Sequence, residues 1–211
     1  MPGEPPKEYI DLYFLERRRI VEALLKAKGM DEISDLIYKN SLLLAPTVAT
    51  CGPAGVNAAP FMLSFMVKEE YLEEAVGKMK TIIDEMYGKG WRAMLEAAKF
   101  LLDYVYNLER SDPLTLVSHL MSKGHTYRNL VDNGRATISI LIPPDRGAFE
   151  LRTRVEIVED GLVYEYANLL HDMIHVAPEG ERSHPWYPAL VFHVEEIYDN
   201  SFQKLGVKIY P

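Results

Sequence analysis

Lys123, His125 and Arg128 fall within six residues of one another in a chain of net charge −8. The segment around them, 122–134, reads as a short helix with Thr126 as capping candidate and Asn133-Gly134 as its stop. Cations there face the positive end of the helix dipole, which is unfavourable by about 0.3–1 kcal/mol per charge. A bound anion reverses that sign by taking up the free backbone N–H groups, the Thr126 hydroxyl and the nearby cations, and a phosphate suits it best. The plainer alternative is that long basic side chains swing into solvent.

A second stretch, 43–67, offers backbone rather than side chains. Two apolar runs flank the turn Cys51-Gly52-Pro53-Ala54-Gly55, the pattern of a buried β-hairpin. The second run contains Ala58-Ala59-Pro60, two small side chains and a residue without an N–H. A strand tolerates proline at an edge or a bulge. Read functionally, small residues beside an interrupted ladder leave amides free and room for a flat ligand; read plainly, they are a kinked edge strand. A third constellation is His171 and His175, four apart on an expected helix and able to share a metal. Asp172 stands where a zinc protease has its glutamate, and only Glu165 or His184 offers a third ligand. His119 and His193 fall in strand patterns.

The elements that must position these groups follow from periodicity. Residues 8–28 form an amphipathic helix with Ile10, Tyr13, Phe14, Ile20, Ala23 and Leu24 inward and Arg17-Arg18-Arg19 solvated. A shorter helix spans 31–38. Helices at 69–87 and 91–108, joined by Gly88-Lys89-Gly90, make an αα-hairpin inserted between strand segments. Strands are expected at 113–121, 135–142 (closed by Pro143-Pro144-Asp145), 150–159 and 187–198, with a helix at 162–176, a polar loop at 177–185 and a short strand in the tail. The domain reading is therefore an N-terminal helical segment 1–40, a β domain from 41–67 and 111–211, and an inserted hairpin 68–110.

Composition bounds the function. At 211 residues, 48% hydrophobic and 26% charged, the chain can bury a real core. Its acidity argues against a duplex nucleic-acid binder, and no apolar run approaches the ~20 residues that span a bilayer. One cysteine rules out a disulfide framework. A cytoplasmic protein is expected, and the Glu, Lys and Arg content points to a thermophile.

The order Val56-Asn57-Ala58-Ala59-Pro60-Phe61, a strand, Lys123-Gly124-His125-Thr126-Tyr127-Arg128-Asn129-Leu130, then Ala136-Thr137-Ile138-Ser139-Ile140 resembles the FMN-binding split β-barrels. These include flavin reductase-like proteins and relatives of pyridoxamine-phosphate oxidase; a mainly archaeal branch is the most similar in character. The resemblance covers 43–67 and 114–142, loosely 150–198, and neither the N-terminal helix nor the insert. It implies an α+β fold, an antiparallel split β-barrel carrying a helical-hairpin insertion and an N-terminal helix. It also implies that Lys123, His125, Thr126 and Asn129 hold an FMN phosphate. The backbone of Asn57, Ala58, Ala59, Pro60, Phe61 and Met62 would lie along the isoalloxazine ring, at a homodimer interface. The implied activity is that of an FMN-dependent oxidoreductase or flavin reductase acting on a small-molecule redox substrate or electron donor, with no catalytic side chain required. A flavin carrier or oligomeric scaffold, and a metal-dependent enzyme using His171 and His175, are the competing readings.

Overall fold

The computed structural model describes residues 3–143, 147–181 and 185–211. Two apolar runs expected to form one hairpin are three strands. β1 (Thr47–Gly52) and β2 (Gly55–Pro60) pair without a break from Thr47 opposite Pro60 to Gly52 opposite Gly55. The hairpin turn is only Pro53-Ala54, and Gly55 leaves it at φ +82°, a conformation that favours glycine. Leu43 and Leu44 belong instead to a helical turn, Ser41–Leu44. The second run breaks at 61–63 and resumes as β3 (Ser64–Val67).

That break shapes the molecule. The remaining strands are β4 (Ser111–His119), β5 (Arg135–Ile142), β6 (Gly147–Val158), β7 (Ala189–Asp199) and β8 (Val207–Tyr210). All pairings are antiparallel along the path β2-β1-β5-β6-β7-β4-β3, and β8 pairs with the far end of β7. Laid flat, seven strands about 4.8 Å apart would put β2 and β3 roughly 29 Å from each other. The three residues between them bridge at most about 14 Å. The sheet therefore curls until its two end strands meet at an unpaired seam, which makes it a split barrel in an α+β fold. Alternation supplies the interior: on β5, Ala136, Ile138, Ile140 and Ile142 are buried while Arg135, Ser139 and Leu141 are exposed.

Helices close the barrel. The N-terminal one runs through Lys7–Tyr9, a π-helical turn at Ile10–Phe14 and Leu15–Leu24, four residues short of the expected end. Its Tyr9 and Phe14 pack on Phe149 and Phe65 of the barrel, with centroids 5.8 and 4.8 Å apart. Arg17 is not solvated as expected but 2% exposed. It lies on the stripe of Tyr13, Ile20, Val21 and Leu24, at helical spacing, and packing among aromatic rings overrides its charge. Helices Glu69–Met86 and Trp91–Phe100, the latter continued by a π-helical turn to Val105, form the expected hairpin. They share one continuous hydrophobic cluster with the barrel. Gly161–Ile174 is helical, and part of the expected polar loop is a further helical turn, Val176–Glu179. The expected turn at Pro144-Asp145 lies outside the described residues.

Candidate functional site

At the seam a cleft of about 400 Å³ runs between Asn57–Met62, the end of β4 and the start of the helix His125–Asn133. It is lined by Asn57, Ala59, Pro60, Phe61 and Met62 on one side and by His125 and Thr126 on the other. Two stretches almost seventy residues apart are thus brought to one place by the closure of the sheet. Ser118, His119, Leu120 and Met121 complete the wall. The sequence pattern places them in a strand and its core, and their signal in it is polar Ser118-His119 interrupting an apolar run.

The expected interruption of the ladder at Pro60 is corrected. The Phe61 N–H donates to the Pro46 carbonyl at 3.0 Å, and bonded pairs alternate along an antiparallel ladder. The Pro60 nitrogen therefore points to the outer edge, where no bond is lost. β2 is an end strand of the path. The same alternation turns the N–H of Ala58 outward, so what faces the seam is the bare edge of an intact strand.

The phosphate side is also rearranged. The helix begins at His125 with Gly124 at its cap position, so Thr126 is not the cap but the second helical residue. The N–H groups of His125, Thr126 and Tyr127 precede the first helical bond, Arg128 N–H to Gly124 O at 3.2 Å. Thr126 is almost buried and its Oγ1 accepts from Asn57 Nδ2 at 2.7 Å. Since Asn57 occupies an acceptor lone pair, the hydroxyl proton is left to donate elsewhere. Lys123 does not line the cleft; its Nζ sits 3.5 Å from Glu159 and 5.2 Å from the Tyr127 ring centroid.

Asn129 serves the hairpin. Its side chain is fully buried; Oδ1 accepts from Ala54 N–H at 2.9 Å, and Nδ2 donates to Gly55 O at 2.8 Å and Thr50 Oγ1 at 3.2 Å. Gly52 makes this approach feasible, because a Cβ there would stand 2.9 Å from Asn129 Oδ1. With every polar atom engaged, Asn129 fixes the β1–β2 turn against the helix.

The histidine constellation is real as a cluster. The rings of His171 and His175 are 4.6 Å apart, and His119 lies 4.5 Å from His171. Buried Asp172 accepts from Trp186 Nε1 at 2.7 Å. Glu165 pairs with Lys80, and His184 lies outside the described residues. Among the described residues no group of three or more His, Cys, Asp or Glu has the geometry of a metal site. No described helix is long and apolar enough to cross a membrane.

No family model and no curated protein matches the chain. Solved structures similar to it include HupZ from Group A Streptococcus, with 17% identity, TM-score 0.45, and coverage of 85% of this chain and 98% of that one. An FMN-binding protein from Syntrophomonas wolfei has 15% identity and TM-score 0.39, with 93% and 94% covered. A protein described as a pyridoxamine 5'-phosphate oxidase from Listeria innocua has 10% identity and TM-score 0.43, with 79% and 95% covered. At such identities and scores the likeness carries no statement about ligand or activity.

Proposed function

We propose that the seam cleft binds FMN and that the protein is an FMN-dependent oxidoreductase or flavin reductase-like protein. The observation that carries this reading is the cleft itself, which joins a bare strand edge to a helix start through the Asn57–Thr126 hydrogen bond. Its volume suits a small cofactor. The Thr126 hydroxyl, the three unbonded N–H groups of the first helical turn and His125 would hold the phosphate. Ala59 leaves room for a flat ring, and the outward Ala58 N–H offers it a donor. A flavin supplies the electron chemistry; the chain binds, orients and partly shields it. Met62 and Met121, 51% and 63% exposed at the cleft, are the surface a second subunit would cover. The proposed assembly is accordingly a homodimer.

Titration of the protein with FMN and with riboflavin, followed by flavin fluorescence, tests the proposal. Wild-type protein should bind both, FMN more tightly. Thr126→Val should weaken FMN about ten- to a hundredfold, the loss of one charge-assisted bond of about 1.5–3 kcal/mol, and leave riboflavin unchanged. No FMN binding at high micromolar concentration overturns the reading, and equal losses for both ligands overturn the phosphate assignment.

A further inference from the structure

Behind the seam cleft lies a second cavity of about 360 Å³, and the two share Met62, Ser118, His119 and Met121 in their walls. Its lining is mostly apolar, with Ile20 and Leu24 from the N-terminal helix, Met94 and Leu101 from the inserted hairpin, and Leu170 and Ile174 from the helix Gly161–Ile174, and the rings of His171 and His175 join His119 in its wall. The inserted helices thus build a chamber against the barrel. Into this lining comes Arg17, 2% exposed.

Arg17 carries a positive charge that nothing in the described chain neutralises. Its Nη1 donates to the Tyr13 hydroxyl at 2.9 Å and Nη2 to the Leu63 carbonyl. Nε is buried without a hydrogen-bond partner. The rings of Tyr13, Phe65 and Tyr106 surround the guanidinium at 5.3, 5.4 and 5.7 Å. Its electrostatic neighbours are tyrosines, with no carboxylate among them. Burial pushes the Tyr13 hydroxyl above its ordinary value, so it is a neutral acceptor and not a counter-ion. An arginine is never deprotonated in a protein, and a buried charge without its partner is strongly unfavourable. Arg18 and Arg19, its neighbours in sequence, both pair with glutamates on the same helix.

We propose that this inner cavity binds an apolar monocarboxylate, its carboxylate against Arg17 and its hydrocarbon body among Ile20, Leu24, Met94 and Leu101. The volume holds about a dozen water-sized groups at ~30 Å³ each, the size of a medium-chain or bicyclic aromatic acid. Because the cavity shares a wall with the seam cleft, such a molecule would lie beside a flavin bound in that cleft; that placement rests on the FMN reading, whereas the binding itself does not.

The test uses flavin-free protein at pH 8, with octanoate and 1-octanol as probes, read by isothermal titration calorimetry. Octanoate should bind at least tenfold more tightly than 1-octanol. Arg17→Leu should abolish that preference while keeping 1-octanol binding. Ala97→Leu, which adds bulk to the cavity wall and keeps Arg17, should weaken both probes at least tenfold, and it decides the matter should Arg17→Leu fail to fold. Equal affinities for the two probes, no octanoate binding, or unchanged octanoate binding in Ala97→Leu each overturn the proposal. A protein that selects octanoate but binds no FMN keeps the cavity assignment and loses the flavin one.

Discussion

Asn129→Ala separates a residue that holds a ligand from one that holds the fold. Asn129 makes three hydrogen bonds to the β1–β2 hairpin, at 2.8, 2.9 and 3.2 Å, from a fully buried position. At about 1 kcal/mol net per bond the loss is roughly 3 kcal/mol. For a chain of this size each kcal/mol moves the melting temperature by about 2–4 °C, so the variant should melt about 6–12 °C lower. Asn129→Asp keeps the acceptor for Ala54 N–H but loses both donors and buries a charge, and it should be no better. Circular dichroism melts and urea titrations without flavin read both variants. An unchanged melting temperature together with a tenfold loss of FMN affinity would refute the argument, returning Asn129 to the phosphate.

Asn57→Ala removes the 2.7 Å bond to Thr126 and should cost about 1 kcal/mol of stability while weakening FMN by fluorescence titration; unchanged FMN affinity would separate the two cleft walls functionally. Gly180→Ala should lower the melting temperature by a few degrees, since φ is +71° and the new Cβ would stand 2.9 Å from Gly88 Cα; an unaltered melt would show that the contact yields freely. Burial opposes ionisation of Asp199, but its bonds from Ser201 and Lys204 outweigh this and hold its carboxyl below the ordinary value. A carboxyl depressed on folding adds stability that is complete above its unfolded-chain value and is lost as pH falls through the folded one. Urea midpoints should therefore drop less steeply in Asp199→Asn than in wild type as pH falls below about 4, the ordinary aspartate value, and parallel drops would count against it. Light scattering should give about twice the 24.1 kDa chain mass, and a monomer would leave Met62 and Met121 uncovered.

What was legible in the sequence was local. Period-two alternation located β5 and β6, and steps of three and four located the inserted helices, because both depend on neighbours within a few residues. The break at 61–63 was not legible. Phe61-Met62-Leu63 is as apolar as the strands it separates, and only the pairing of Ser64 with Val117 far along the chain ends one strand and starts another. The bonds of Asn129 to the hairpin were not legible for a related reason. An asparagine near a helix start looks the same whether its amide faces an anion or a turn, and Gly52, whose missing Cβ admits it, lies 77 residues earlier.

Arg17-Arg18-Arg19 shows the same limit on one turn of helix. Three identical side chains in a row point about 100° apart on an α-helix, so at most one or two can share the inward stripe. Phase alone places Arg17 with Tyr13, Ile20 and Leu24; its charge argues against that placement and misled the reading. The structure resolves the conflict by position. Arg19 stays exposed with Glu16, Arg18 is half-buried with Glu22, and Arg17 goes inward to tyrosine, carbonyl and aromatic faces. A buried cation with neutral partners is poor stabilisation compared with an apolar side chain of similar volume. Its presence in the wall of an apolar chamber beside the seam is therefore better explained by what enters the chamber than by the fold that surrounds it.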